Sequence, residues 1–234
     1  EVELDWWVIP RPAGDETETK KTEILLAAIH KEIIGRYKED LRLLDLVPAF
    51  FEIETFSAIR STFSGERGAI VILDLGAGTT KLAIIDYGVV RLSHTISKGA
   101  QDITLAIARS LGVEFAKAEE IKRSVGLVER YEGQNISNLV SAIIEYIFAE
   151  AHRVITIYQT RSRRSIERVV LIGGGSLLQG LMELASQSFE VPVVVGDPFA
   201  KVEFPVFLER VIKKTGPGFA VALGLALRHL QTLD

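Results

Sequence analysis

Two apolar runs, Ala69-Ile70-Val71-Ile72-Leu73 and Leu82-Ala83-Ile84-Ile85, flank the stretch Asp74-Leu75-Gly76-Ala77-Gly78-Thr79-Thr80-Lys81. Short apolar runs on either side of a Gly-x-Gly-Thr-Thr turn read as two buried strands of a hairpin. Glycine lacks a Cβ, so the backbone of such a turn can take unusual φ/ψ values and approach a bound anion. Successive N–H groups form an anion-binding nest, to which the Thr79 and Thr80 hydroxyls add donors. Asp74, delivered by the first strand, is placed to hold a magnesium ion through water, because magnesium keeps much of its hydration shell. An ordinary hairpin with a glycine turn is the other reading of the same residues.

A second glycine cluster follows another apolar run. Arg168-Val169-Val170-Leu171-Ile172 reads as a buried strand and leads directly into Gly173-Gly174-Gly175-Ser176. Leu177 to Leu181 is expected to open a helix, with Ser176 as its cap, and a helix start after a glycine turn suits a phosphate, ribose or base edge. The cluster is not the Gly-x-Gly-x-x-Gly dinucleotide fingerprint, and no Gly-Lys-Ser/Thr makes it a Walker loop. Two glycine turns, each at the end of an apolar strand, suggest a nucleotide held between them.

In this order the parts resemble the actin-like ATPase superfamily, which includes actin, the large heat-shock chaperones, sugar kinases and the cell-division protein FtsA. On that resemblance Asp74 to Thr80 corresponds to the second phosphate loop and Gly173 to Ser176 to the adenosine loop. The family's Glu-x-x-Lys pair, which embraces the adenosine, corresponds to Glu119 and Lys122 within Ala118-Glu119-Glu120-Ile121-Lys122. Those two lie three apart and share a helical face, a spacing that a solvated salt bridge also satisfies. Gly216 to Ala226 resembles the second helix that connects the lobes, its small residues allowing close packing.

Within the superfamily the chain is most similar to the PilM family of type IV pilus assembly. Leu25-Leu26-Ala27-Ala28, Lys31-Glu32, Leu46-Val47-Pro48, Glu52-Ile53-Glu54 and Asp197-Pro198-Phe199 add to the segments already named. The resemblance implies an α/β fold, an actin-like (ribonuclease H-like) lobe preceded by a smaller α+β inserted domain of the SHS2 type. It implies inserted domain over residues 1–46, a strand and connecting helix of the first lobe over 47–64, the second lobe over 65–215, and a C-terminal connecting helix over 216–234. Members begin with a hairpin carrying a first phosphate loop, Asp-x-Gly, well before the inserted domain; apart from the loop at Asp74, no other strand-ending Asp-x-Gly followed by a compatible hairpin appears in this sequence. The chain is therefore expected to be N-terminally truncated, with tight triphosphate binding not expected of it.

The same resemblance implies ATP and Mg²⁺ as ligands: Asp74 for the metal, Gly76, Gly78, Thr79 and Thr80 for phosphates, Glu119 and Lys122 for ribose and base, and Gly174, Gly175 and Ser176 for the adenosine. No residue stands out as a general base, so no catalytic residue is assigned. A nucleotide-responsive scaffold, at most a weak ATPase, is expected. Its implied partner is the cytoplasmic N-terminal tail of an inner-membrane pilus protein (PilN-like), which would tether a cytoplasmic protein to the membrane; self-association stays open. An FtsA-like division protein and a sugar or small-molecule kinase of the same superfamily are the alternatives.

Composition bounds these readings. An apolar content of 47% over 234 residues is ample for a core. No cysteine is present, which removes disulfides, thiolate metal sites and thiol nucleophiles. His30, His94, His152 and His229 show no metal-ligand spacing. A net charge of −4 argues against broad nucleic-acid binding. The basic run Arg161, Arg163, Arg164 and Arg168 reads as a solvated loop face rather than an anion site. No apolar run approaches the roughly twenty residues of a membrane span, and Arg228 to Asp234 lacks the amphipathic anchor that ends FtsA.

Periodicity predicts strands over Glu3–Ile9, Glu23–Ile29, Val47–Ile53, Val89–Leu92 and Val191–Val195, with a polar loop over Pro10–Lys20. It predicts helices over Lys31–Leu44, Phe56–Phe63, Asp102–Leu111 and Ala116–Ser124. The longest helical stripe runs from Ile136 through Ile144, Ile147, Phe148 and Ala151 to Tyr158 and is assigned to core packing alone.

Overall fold

The computed structural model describes residues 1–9, 22, 24–65, 67–127 and 136–231. The polar loop expected over Pro10–Lys20 lies outside them. The chain divides into two compact units, Glu1–Ile53 and Glu54–Asp234.

In the first unit, strand β1 (Val2–Val8) pairs antiparallel with β2 (Ile24–His30), Trp6 opposite Leu26. Helix α1 (Lys31–Leu43) follows at once, and its first amide donates to the Glu1 carbonyl at 3.2 Å. Val47–Ile53, expected as a strand, is irregular chain. Pro48 removes one ladder donor there, and among the described residues the segment pairs with neither β1 nor β2.

The second unit is built on a five-stranded sheet. Its strands are β3 (Ala69–Leu75), β4 (Thr80–Asp86), β5 (Val89–Ile96), β6 (Ile166–Ile172) and β7 (Val193–Val195), in the order β5-β4-β3-β6-β7. The first three form an antiparallel meander, whereas β6 and β7 join in parallel. Tyr87 and Gly88 make the two-residue β4–β5 turn, both at positive φ (52° and 74°), as a type I′ hairpin requires.

Unbroken apolar runs in β3 and β6 follow from burial on both faces. Val71, Leu73 and Leu75 point to one side, where they meet Ile103 and Ile107 of α3 (Ala100–Leu111), Ile121 of α4 (Phe115–Val125), and Ile144, Ile147 and Phe148 of α5 (Ile136–Ser162). Leu181 and Ala185 of α6 (Leu181–Ser188) join this larger core. Ile70, Ile72, Ala83 and Ile85 point to the other side, against Ala58 of α2 (Glu54–Thr62) and Ala220 of α8 (Ala220–Gln231). A short helix, α7 (Glu209–Thr215), precedes α8 and is joined to it by a 3₁₀ turn over Gly216–Phe219. Among the described residues no helix is long and apolar enough to cross a membrane.

The basic run is not uniformly a solvated face. Arg164 pairs with Asp86 at the end of β4 (Nε to Oδ2, 2.7 Å) and lies over the Tyr87 ring, 4.5 Å from its centroid. Tyr158 donates to the same carboxylate oxygen at 2.8 Å. Burial, reinforced by the Asp86 charge and hydrogen bond, pushes the Tyr158 hydroxyl up to about 12. Asp86 itself is almost fully buried, so this cluster fastens the β4–β5 turn to the end of α5.

Helices α2 and α8 touch through backbone. A Cβ on Gly224 would overlap the Ser57 carbonyl, Arg60 donates to the Gly224 carbonyl at 3.0 Å, and Ser61 Oγ lies 2.8 Å from the Ala220 carbonyl. Gly224→Ala is therefore expected to force the helices apart. It should cost about 1–3 kcal/mol, the range for overpacking, despite alanine's better helix propensity. Denaturant unfolding of the two proteins measures it.

Candidate functional site

Both glycine turns emerge from the same edge of the sheet. β3 and β6 are parallel, with Asp74 opposite Ile172, so the turn after each strand leaves on the same side. They are in contact: Gly173 has φ of 81°, and a Cβ there would collide with Asp74 Oδ1 and stand 2.7 Å from the Leu75 carbonyl oxygen. A Cβ on Gly175 would come within 2.8 Å of Leu75. Glycine is required here by close approach as well as by backbone angle.

The turn after β3 is held in shape from outside. Gly76 N–H donates to the Asp74 and Thr79 carbonyls, both at 3.1 Å. The carbonyls of Gly76 and Ala77 accept from the first amides of α3, Ala100 at 2.9 Å and Gln101 at 2.8 Å. Asp102 closes that helix start by accepting from Gly99 N–H at 2.9 Å and pairing with Lys98 at 2.7 Å. Gly99 has no room for a side chain, since a Cβ would run into the Ala77 carbonyl. Thr80, fully buried, donates its hydroxyl to the Lys98 carbonyl at 2.9 Å. That hydroxyl hydrogen therefore braces the loop, whereas Thr79 and Gly78 are more open, and a Cβ on Gly78 would meet nothing within 4 Å.

Asp74 is half-buried at this junction. Burial pushes its carboxyl above the usual range; the Lys81 charge pulls it down and the Glu54 charge pushes it up again. Lys81 and Glu54 themselves form an ion pair.

Glu119 and Lys122 face the turn from α4. Lys122, 8% exposed, directs its ammonium to Glu119 Oε2 (2.6 Å), Thr104 Oγ1 (3.0 Å) and the Ala100 carbonyl (3.2 Å). Three acceptors match its three N–H groups. Thr104 Oγ1 is also 2.6 Å from Glu119 Oε2, and Arg123 donates to Glu119 Oε1 at 2.9 Å. Burial raises the Glu119 carboxyl, but the hydrogen bonds from Lys122, Thr104 and Arg123 and the Lys122 charge outweigh it and hold it at about 2. The pair is a built cluster rather than a solvated surface bridge.

Between these elements lies a cavity of about 610 Å³. Of the residues singled out in the sequence, Gly76, Glu119, Lys122, Gly174 and Gly175 line it together. Asp74 and the Gly78–Thr80 segment belong to the adjoining loop and do not line it. Ser176 is buried and does not cap a helix: its hydroxyl donates to the Gly173 carbonyl at 2.7 Å inside a 3₁₀ turn over Gly174–Leu177. α6 starts only at Leu181, after Gly180 at φ of 82°, because the chain extends at Leu178 before it can turn helical. The walls also include Gly99, Ala100, Gln101, Phe115, Arg123, Lys214 and Thr215, none of which stood out in the sequence. The one available signal was Gly99 three residues before Asp102, a helix-start pattern.

An α/β sheet with two glycine turns opening on one cavity defines this as a protein of the actin-like ATPase fold. The chain belongs to the family described as type IV pilus assembly protein PilM, whose model matches residues 1–230. It is similar to a chain of the PilM-PilN type IV pilus biogenesis complex, at 28% identity and a TM-score of 0.82, over 97% of this chain and 66% of that one. The ethanolamine utilization protein EutJ from Carboxydothermus hydrogenoformans shares the fold, at 24% identity and a TM-score of 0.63 over 85% of this chain and 61% of that one. The cell division protein FtsA of Pseudomonas aeruginosa is 27% identical over 169 residues, which are 64% of this chain and 40% of FtsA. The chain thus spans less than two thirds of the length of each of these relatives.

The Glu119 cluster carries a pH signature. Its folded pKa lies below the unfolded value of 4.5, so the unfolded chain binds more protons in between and stability rises with pH there. The contribution is complete above about pH 4.5 and is lost as pH falls toward 2. Glu119→Gln should cost about 1–3 kcal/mol at neutral pH and progressively less on acidification through that window. Denaturant unfolding of both proteins at pH 7, 4.5 and 3 checks it.

Proposed function

We propose that the protein is a nucleotide-responsive scaffold of type IV pilus assembly, holding ATP or ADP in the cavity between the two glycine turns, with Mg²⁺ at the adjoining Asp74. The observation that carries this reading is the convergence of Gly76, Gly174 and Gly175 with Glu119 and Lys122 on one cavity of about 610 Å³. That volume falls within the roughly 300–1,000 Å³ of small-molecule sites.

In this arrangement the amides of Ala77 to Thr79 receive the phosphates, while Gly76 N–H holds the turn closed. Thr80 and the first turn of α3 keep that backbone in place. Glu119 presents its carboxylate to the sugar, oriented by Lys122 and Arg123, while Gly174 and Gly175 leave room for the adenosine. Magnesium fits at Asp74: the carboxylate is a hard oxygen donor at the junction of the turns, and its burial disfavours an uncompensated charge. Bound there through water, the ion would offset phosphate charge.

We further propose that the scaffold grips the cytoplasmic N-terminal tail of a PilN-like inner-membrane protein, and so works at the cytoplasmic face of that membrane. Likeness to a chain of the PilM-PilN complex supports this.

Calorimetry should show ADP binding that magnesium strengthens. Gly174→Val should reduce it at least about tenfold while leaving the melting temperature unchanged, because a Cβ there meets nothing within 4 Å and the methyls would enter the cavity. Asp74→Asn should retain nucleotide binding and lose the magnesium effect. Unchanged ADP binding by Gly174→Val would place the nucleotide elsewhere. Immobilised N-terminal tails of pilus inner-membrane proteins should retain the chain; capture by the cell-division tubulin homologue instead would favour a division role.

A further inference from the structure

The first turn of α3 is fastened at both ends of the cavity. Its amides, Ala100 and Gln101, hold the carbonyls of Gly76 and Ala77 at 2.9 and 2.8 Å. The carbonyl of the same Ala100 accepts from Lys122 at 3.2 Å. Thr104, one turn further along and fully buried, accepts from Lys122 at 3.0 Å and lies 2.6 Å from Glu119 Oε2 and 3.1 Å from the Ala100 carbonyl. A continuous hydrogen-bonded path therefore runs from the Glu119 carboxylate through Thr104 and Lys122 to the Ala100 carbonyl, and across that peptide, whose N–H is that of Gln101, to the Ala77 carbonyl in the loop.

Thr104 holds the key position on this path. A hydroxyl can donate once and accept twice. With Lys122 donating to it, its own hydrogen must go either to Glu119 or to the Ala100 carbonyl. The 2.6 Å separation favours Glu119, where the acceptor is charged. A ligand hydroxyl that draws on the Glu119 carboxylate weakens that preference and frees the Thr104 hydrogen for Ala100. The Ala100 carbonyl then gains a second donor beside Lys122, which polarises its peptide and strengthens the bond from that peptide's N–H, that of Gln101, to the Ala77 carbonyl.

We propose that Thr104 is a positioning residue that couples occupancy of the sugar side of the cavity to the conformation of the phosphate loop. The proposal rests on the nucleotide reading of the cavity. It adds to it that the two halves of a nucleotide bind cooperatively, through a buried hydroxyl that touches neither half.

Calorimetry with adenosine and with ADP tests it, on the native chain, Thr104→Val and Thr104→Ser. Valine matches the shape without the hydroxyl, and serine restores the hydroxyl. The gain in affinity from adenosine to ADP should shrink by about tenfold in Thr104→Val and return in Thr104→Ser, with adenosine affinity changed less than about threefold. Equal losses for both ligands, or none, would overturn the proposal while leaving the nucleotide site intact. Failure of the native chain to bind either ligand would overturn the nucleotide reading and the proposal with it. If Thr104→Val does not fold, the amide NMR signals of Gly76, Ala77 and Gly78 in the native chain decide. Saturating adenosine, which carries no phosphate, should move them, and unmoved signals would contradict the coupling.

Discussion

Because β3 and β6 run side by side in parallel, with Asp74 opposite Ile172, the turns that follow them leave the sheet at one edge and meet there. The rest of the site depends on this pairing. Parallel strands need a crossover, and here it is long: β4, β5, α3, α4 and α5 all lie between β3 and β6 in the chain. The crossover also builds much of the rest of the cavity wall, since α3 and α4 pack on the face that Val71, Leu73 and Leu75 present. Each glycine in the turns costs about 0.5–1 kcal/mol of conformational freedom. Each fully buried Leu, Ile or Val in the adjoining strands contributes about 1.5–3 kcal/mol, so the apolar runs outweigh the turns they carry.

The α3 start turns a permissive glycine loop into a defined one. With the carbonyls of Gly76 and Ala77 tied to Ala100 and Gln101, the loop cannot choose freely among the conformations glycine allows. The helix directs its own orphan amides to loop carbonyls. Such preorganisation lowers the ordering cost that a ligand would otherwise bear. The Glu119–Lys122–Thr104 cluster serves the same end from α4, and its network of charge-assisted bonds explains why a nominally surface-type i,i+3 pair is half-buried and fixed.

How much of this was legible depends on which atoms do the work. Asp74, Gly76, Gly174 and Gly175 stood out because glycine between apolar strands is costly unless a turn or a close backbone approach requires it. The strands themselves lie within a residue or two of their expected bounds, apart from the far end of β5. Gly99, Ala100 and Thr104 did not stand out. Two of them act through backbone groups or an absent Cβ, and the third is one hydroxyl on an otherwise amphipathic helix. Their partners, Gly76 and Ala77 on one side and Glu119 and Lys122 on the other, are 15 or more residues away, so no local pattern reveals them. Ser176 misled because Gly-Gly-Gly-Ser looks like a cap, whereas Gly180 at positive φ delays the helix by a turn. Arg164 misled for the opposite reason: a charge in a basic run looks solvated until tertiary folding brings Asp86 and Tyr87 beside it. Val47–Ile53 has strand-forming residues but pairs with no strand among the described residues, and pairing is what makes a strand.

The account as a whole stands on one spatial claim, that a single nucleotide spans the two turns. A crystal structure of the chain grown with Mg²⁺ and ADP examines it directly. The account predicts diphosphate oxygens at the amides of Ala77 to Thr79, the sugar hydroxyls at Glu119, and the adenine against Gly174 and Gly175. Density for the nucleotide elsewhere on the chain, or an empty cavity at saturating ADP, would contradict it.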